Sequence, residues 1–158
     1  MILLTQPNSW SCSLAAAAMV TDISIEELTT LIGHDGSAIV NPDLPSPANR
    51  KGFHNQEIID AVLRLGFAVT PIHPHPIQTV YGYDEYVLPF DEQRFHNHLK
   101  CCDGMLCGKA RKYWHAVAWD HSSGKIYDPQ GRIYSLDDCK ISIEIFWRFD
   151  KIKIKNTE

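Results

Sequence analysis

Apolar residues in the first part of the chain recur every three or four positions, which predicts helices. Four helices are expected, over residues 12–20, 25–32, 54–65 and 91–100. The first follows a polar loop, and Ser11 or Ser9 is its expected N-cap. The second starts with the capping-box pair Ser24 and Glu27, and Asp91 is the expected cap of the fourth.

The second part of the chain is rich in β-branched and aromatic residues and predicts strands. Six strands are expected, over residues 67–72, 104–110, 113–119, 125–127, 133–136 and 141–149. Residues 121–124 form the expected hairpin turn. In the last strand, apolar residues from Ile141 to Phe149 alternate with a set of side chains that includes Phe146, so we expect burial of one face only. Helices followed by strands indicate an α+β fold.

Two long segments carry no clear period. Residues 36–51 contain three prolines and are expected to form a surface loop of a length that often lines a functional cleft. Residues 73–76 alternate histidine with proline, which excludes a helix there. Residues 80–90 are compatible with a strand or an ordered loop, and the stretch 73–90 is a candidate for substrate specificity. Its tyrosines suit either packing or an aromatic substrate wall: Tyr81, Tyr83 and Tyr86.

Composition narrows the class of protein. The 158 residues indicate one domain over residues 1–158, and the net charge of −4 excludes a general affinity for nucleic acid. No apolar run approaches the roughly 18 residues of a membrane span, and the N-terminus lacks the basic region of a signal peptide. We therefore expect a cytoplasmic protein whose five cysteines are reduced.

Cys12 stands at the junction between the polar loop and the alanine-rich helix. A thiol in the first turn of a helix lies at the positive end of the helix dipole, which favours the nucleophilic thiolate. We therefore interpret Cys12 as a candidate nucleophile. It follows the first residue so closely that no zymogen stage is expected.

A cysteine nucleophile needs a base, and His115 in the strand over residues 113–119 is the best candidate. Asp128 ends the neighbouring strand of the hairpin, where its carboxylate can reach the imidazole and fix its tautomer. The side chain of Gln6 and the backbone N–H of Cys12 can together stabilise an oxyanion. The candidate site is thus Gln6, Cys12, His115 and Asp128.

This ordered set resembles the papain-like cysteine peptidases. By pattern it is most similar to the bacterial C39-like group, which also occurs as the peptidase domain of peptide exporters. The resemblance runs through most of the chain, including residues 25–36, the helix near 57–65 and the hairpin from His115 to Asp128. One departure is the position of tryptophan: many papain relatives place it directly after the nucleophile, whereas Trp10 precedes Cys12 by two residues.

The resemblance implies a papain-like fold, with a helical subdomain carrying Cys12 packed against an antiparallel sheet carrying His115 and Asp128. Cys12 would be the nucleophile, His115 the general base and then acid, Asp128 the orienting group and Gln6 the oxyanion donor. The implied substrate is a protein or peptide whose peptide or isopeptide bond is hydrolysed through a thioester, with no cofactor and no metal. The same triad would serve an acyltransferase, a deamidase or a ubiquitin-type hydrolase.

Other interpretations remain open. Each residue alone has an ordinary role, since thiols and histidines pack in cores and Asp-Pro forms turns. A non-catalytic binding or adaptor protein on the same fold is the alternative of another class. A weaker alternative is a zinc site, because a short window holds several residues of the types that bind zinc: His96, His98, Cys101, Cys102 and Cys107.

Overall fold

The computed structural model describes residues 1–74 and 92–153, with helices first and most strands after them. The helices are α1 (Cys12–Thr21), α2 (Ile25–Ile32), α3 (Asn55–Arg64) and α4 (Glu92–Cys101). The strands are β1 (Phe67–Ile72), β2 (Gly104–Ala110), β3 (Tyr113–Asp120), β4 (Lys125–Asp128), β5 (Arg132–Ser135) and β6 (Ser142–Lys151). A short 3₁₀ helix, Leu136–Asp138, follows β5. Within these ranges, no helix has both the length and the apolar character that a bilayer span requires.

The strands form one antiparallel sheet in the order β1-β6-β2-β3-β4-β5. The predicted elements agree with these bounds to within two residues at each end, and the hairpin turn joins β3 to β4 as expected. The expectations for residues 80–90, for the tyrosines among them and for the Asp91 cap lie outside the described residues.

Helices cover both faces of the sheet. On one face, α1 packs against alternate residues of the central strands, such as Met105 and Ala116, while α3 packs on β1 and α2 packs on α1 and α3. On the other face, Phe95 and Leu99 of α4 pack against the intervening residues of the same central strands, such as Leu106. The period of two along each strand therefore serves two separate cores.

The expectation that the last strand is buried on one face only was wrong. Phe146 of β6 is fully buried, and its ring lies edge-to-face with that of Phe95 at 6.4 Å between centroids. The periodicity of β6 identified one face for Ile145, Trp147 and Phe149, whereas Ile141 and Ile143 lie beyond a register shift and belong to the core on the side of α4. Phe146 is buried because α4, which is distant along the chain, covers it.

Helix α1 lies directly on β3, the strand that carries His115. Its four consecutive alanines, residues 15–18, are completely buried, and their small side chains allow the helix to approach the sheet closely. The expectation that Ser11 or Ser9 is the N-cap is confirmed for Ser11. Ser11 occupies the N-cap position, but its buried hydroxyl donates to the Asn8 carbonyl at 3.2 Å and caps nothing in α1.

The next two helices begin with side-chain caps. The Ser24 hydroxyl accepts from the Glu27 N–H at 3.0 Å, and His54 and Glu57 cap α3 reciprocally. The Glu57 carboxylate also lies 2.9 Å from His34 and 3.2 Å from Lys51. Burial opposes ionisation of Glu57, but these partners and the His54 N–H hold its pKa at about 2.

Candidate active site

Cys12 is the first residue of α1 and is partly exposed. Burial of the sulfur opposes its ionisation, but a hydrogen bond and the charge of His115 outweigh that effect. The backbone N–H of Ala116 and the Ser13 hydroxyl add to it, so the pKa of Cys12 lies below its usual value. The thiol is therefore in an environment that favours thiolate.

His115 lies on β3, and its imidazole is buried between the thiol and a carboxylate. Its Nε2 is 2.9 Å from Oδ1 of Asp128, which leaves Nδ1 as the ring nitrogen available to Cys12. Burial disfavours the charged ring, but the hydrogen bonds to Asp128 and Cys12 prevail and raise the pKa of His115 to about 9. Imidazolium and thiolate thus stabilise each other.

Asp128 ends β4 and is 2% exposed, so every lone pair of its carboxylate depends on protein donors. Oδ1 accepts from His115 and from the Gln130 N–H, each at 2.9 Å, and Oδ2 accepts from the Tyr134 hydroxyl at 3.0 Å. Burial favours the neutral acid, yet these donors keep the pKa of Asp128 below its usual value. The carboxylate is consequently ionised beside His115.

Tyr134 is a site residue that the sequence did not reveal. It lies on β5, on the same face as Arg132, which pairs with Asp128 across the β4–β5 ladder. Burial and the adjacent carboxylate raise the pKa of the Tyr134 hydroxyl, which therefore stays a donor. The pattern that could have identified Tyr134 is the register of the second hairpin. The strand β5 starts four residues after Asp128 and runs back beside β4, so its side chains lie next to that carboxylate.

Gln6 is held beside the Asp-Pro turn, since its backbone N–H donates to the Pro129 carbonyl at 2.9 Å. Its side-chain Nε2 donates to the Asn8 carbonyl at 2.9 Å, while Oε1 is buried without a hydrogen-bond partner among the described residues. If the Gln6 amide were turned around, its Oε1 would face the Asn8 carbonyl oxygen, and two acceptors would repel each other. One of the two Nε2 hydrogens is thus committed to Asn8, and the second is left for a ligand.

A cavity of about 330 Å³ opens onto the thiol. The four candidate residues do not all line it, because Asp128 lies behind His115. Its lining comes from the N-terminal segment, the 36–52 loop and β3: Gln6, Ser9, Cys12, Ser46, Pro47, Tyr113, Trp114, His115 and Gln130. The expectation that the long loop lines a cleft agrees with the positions of Ser46 and Pro47.

The 36–52 loop is fastened at its base and beside Cys12. The Gly52 N–H donates to the Gly36 carbonyl at 3.0 Å, which closes the loop. The Trp10 indole N–H donates to the Asp35 carbonyl at 3.0 Å, and the guanidinium of Arg50 lies 5.1 Å from the centre of the Trp10 rings. Trp10, two residues before the thiol, thereby connects the loop to the start of α1.

Three of the five residues considered for zinc lie in surroundings other than a metal site. Cys102 lies 3.4 Å from an oxygen of Asp150, His98 lies 3.1 Å from Arg148, and Cys107 is buried in β2. Within residues 1–74 and 92–153, the one group of three potential metal ligands contains none of the five: Asp103, Asp120 and His121.

The sequence matches no protein-family model and no curated protein. Solved structures do match, among them a double glycine motif protease from an AMS/PCAT transporter in complex with the leader peptide. That structure superposes with a TM-score of 0.50 and 12% sequence identity, over 95% of this chain and 91% of that one. At this identity the likeness establishes the fold alone. The predicted α+β fold is confirmed: the chain has a papain-like fold, with helices packed on an antiparallel sheet, which it shares with this protease.

Proposed function

We propose that the protein is a cysteine peptidase that hydrolyses a peptide or isopeptide bond through Cys12, His115, Asp128 and Gln6. One observation carries the proposal: a partly exposed thiol at a helix N-terminus contacts an imidazole whose far nitrogen is 2.9 Å from a buried carboxylate. Covalent acyl transfer requires this arrangement, in which a nucleophile contacts a base and the base contacts an orienting group.

In the first half-reaction, the Cys12 thiolate attacks the substrate carbonyl carbon and the carbonyl oxygen becomes an oxyanion. The second Nε2 hydrogen of Gln6 and the Cys12 N–H, unpaired at the first position of α1, are its donors. When the oxyanion collapses, the carbon–nitrogen bond breaks and the imidazolium of His115 gives its proton to the departing amine. The product is a thioester on Cys12 and a free amine.

In the second half-reaction, neutral His115 takes a proton from water, and the resulting hydroxide attacks the thioester. Collapse of this intermediate releases a carboxylic acid and regenerates the thiolate beside the imidazolium. Asp128 stays ionised throughout and holds the ring orientation. Every proton has a donor and an acceptor in this scheme, so it needs neither a metal nor a cofactor.

A peptide is the proposed substrate. The cavity beside Cys12 is open to solvent-exposed Tyr113 and Trp114, whose rings offer apolar surface to an extended chain. The similar solved structure is a double glycine motif protease bound to a leader peptide, so peptides with a Gly-Gly cleavage site belong in the first substrate set. A reducing compartment, the cytoplasm, suits a reaction that depends on a free thiol.

The chemistry is tested first without a substrate. The protein is treated with iodoacetamide at pH 6 and the adducts are mapped by mass spectrometry, with exposed Cys101 as the internal reference. We expect Cys12 to be alkylated much faster than Cys101, and His115→Ala to abolish the difference. Equal rates at Cys12 and Cys101 in the unaltered protein would exclude the thiolate pair.

Hydrolysis is then tested with a library of internally quenched peptides that includes Gly-Gly sequences. Cleavage that is lost in Cys12→Ala, together with a thioester trapped by rapid acid quench, supports the peptidase. Fast alkylation of Cys12 without cleavage of any peptide would favour a same-fold transferase or deamidase. Peptide binding without either reaction would favour the non-catalytic adaptor.

A further inference from the structure

A second cavity, of about 430 Å³, adjoins the first one on the far side of the imidazole. The two cavities share His115 and Gln130, but Cys12 and Gln6 line only the first. The second is bounded by the end of β2, the β4–β5 hairpin and the segment before β6: Ala110, His115, Asp128, Gln130, Arg132, Ile133, Tyr134, Asp138, Lys140 and Ile141. Its volume is within the range of small-ligand sites, about 300–1,000 Å³.

The proposed roles of Gln6 and His115 relate the second cavity to the reaction. In the proposed reaction the oxyanion forms beside Gln6, and the departing amine must face His115, which protonates it. The second cavity shares His115 and Gln130 with the first, so a segment that leaves on the His115 side of the thiol can continue past Gln130 into it. That is where the part of the substrate released first would be held.

The walls of the cavity are partly apolar, and its exposed rim carries two cations and one anion. Ile133 is 51% exposed, a large apolar side chain without a complete cover. The exposed side chains of Arg132 and Lys140 bring two positive charges. Asp138 brings one negative charge, and its carboxylate accepts from the Ser135 hydroxyl at 2.6 Å.

The two cations are not equivalent. The Arg132 guanidinium donates to the Gln130 side chain at 3.2 Å and lies 3.6 Å from the Asp128 carboxylate, so part of its charge is already balanced inside the site. Lys140 lies outside this network and can face a ligand at the rim. A complementary ligand would place a carboxylate at Lys140 and an apolar side chain against Ile133.

From this we propose that the second cavity binds the segment of a peptide substrate that follows the scissile bond, and that it selects a segment with an apolar residue next to an acidic one. The proposal rests on the proposed peptidase function and deepens it. Lys140 acts here as a specificity-determining residue, while Ile133 supplies the apolar contact.

The experiment uses two kinds of substrate with the same acyl-side sequence, taken from the library screen. In one, the departing group is aminomethylcoumarin, which carries no residues into the second cavity. In the other, an internally quenched peptide continues after the scissile bond with Ile-Glu, Ile-Gln or Ile-Lys. We expect kcat/KM to be about fivefold higher for Ile-Glu than for Ile-Gln, the upper scale of one exposed ion pair, and lowest for Ile-Lys.

Two charge reversals, one just before β6 and one at its last residue, separate selectivity at Lys140 from a general effect of the net charge. Lys140→Glu should invert the order so that Ile-Lys becomes the preferred peptide, and Lys140→Gln should bring the three peptides to within about twofold of each other. Lys151→Glu, at the opposite end of β6, should leave the wild-type order unchanged. Raising the salt concentration to about 0.5 M should reduce the preference in the wild type.

The outcomes distinguish this proposal from the proposed function. If the wild type hydrolyses neither the coumarin substrate nor any peptide, the peptidase proposal fails and this one with it. If the coumarin substrate is hydrolysed but the three peptides have equal kcat/KM, only the second-cavity proposal fails. It also fails if Lys140→Glu keeps the order of the wild type, or if Lys151→Glu changes it as much.

Discussion

Substitution of Asp128 by asparagine tests the electrostatic basis of the candidate site most directly. The carboxylate accepts from His115 and Gln130 on Oδ1 and from Tyr134 on Oδ2. An asparagine can keep all three contacts, because its oxygen can accept from the first two and its amide can donate to the Tyr134 oxygen once that hydroxyl rotates. Asp128→Asn therefore removes the charge and leaves the geometry.

The size of the effect follows from the His115–Asp128 hydrogen bond. A hydrogen bond to a charged group contributes about 1.5–3 kcal/mol, and a neutral one about 0.5–1.5 kcal/mol. The difference, on the order of 1–2 kcal/mol, corresponds to roughly one pKa unit. We expect the pKa of His115 to fall from about 9 by roughly this amount. Asp128 is not among the groups that lower the pKa of Cys12, and His115 is still protonated when the thiol ionises, so the pKa of Cys12 should change little.

The assay is the rate of Cys12 alkylation by iodoacetate between pH 4 and pH 10. An anionic reagent reacts fastest when the thiolate is formed and the imidazolium is still charged, so the profile is bell-shaped. In the wild type the alkaline limb should lie near pH 9, the pKa of His115. In Asp128→Asn the alkaline limb should move down by roughly one pH unit while the acid limb stays in place, so the bell narrows from its alkaline side.

The matched control is Asp137→Asn, which removes an exposed carboxylate nine residues further along the chain. Its profile should coincide with that of the wild type. If Asp128→Asn also coincides with the wild type while its circular dichroism is unchanged, the carboxylate does not polarise His115 and the electrostatic reasoning is wrong.

Three further substitutions test other parts of the structure. Gln6→Ala should lower kcat by about 10²–10³-fold with little change in Cys12 alkylation, because it removes an oxyanion donor and not the thiolate pair; steady-state kinetics on a cleaved peptide measures this. Gly108→Ala should prevent folding or lower the free energy of unfolding by several kcal/mol, measured by urea denaturation, since a Cβ there would overlap the Ser142 carbonyl. Glu57→Gln should lower that free energy by about 1 kcal/mol at pH 7. This loss should disappear in acid, because the wild type gives up the same stabilisation as the pH falls from 4.5 towards 2.

Local patterns in the sequence were enough to place the helices and strands. The α3 helix and the β3–β4 hairpin were predicted because apolar period and turn residues act over a few neighbouring positions. The burial of Phe146 was missed because it depends on α4, whose Phe95 and Leu99 lie about fifty residues away along the chain. Ser11 was predicted as the N-cap of α1, but the sequence did not show that its hydroxyl donates to the Asn8 carbonyl and leaves the N–H groups of α1 without a side-chain acceptor.

The same distinction applies to the candidate site. The order and spacing of Cys12, His115 and Asp128 were visible in the sequence, because two of them flank one hairpin and the third begins a helix. The contribution of Tyr134 was not, since it requires the register of a second hairpin. The wall formed by Ser46 and Pro47 was expected only as a loop near a cleft, because its closure depends on contacts between Gly36 and Gly52.

The alanine run of α1 connects the packing of the fold with the geometry of the candidate site. The buried alanines at positions 15–18 place the axis of α1 close to β3, and Cys12 at the start of the same helix is carried to His115. On the neighbouring strand β2, Gly108 pairs with His115, and its lack of a side chain permits the close approach of β6 to β2. The position of the thiol beside the imidazole therefore depends on the small residues of α1, and the packing of β6 beside β2 depends on Gly108. These small residues have no reactive group, so the pattern of reactive side chains does not point to them. Their contribution is to leave space, because a larger side chain at these positions would push the packed helix or strand away.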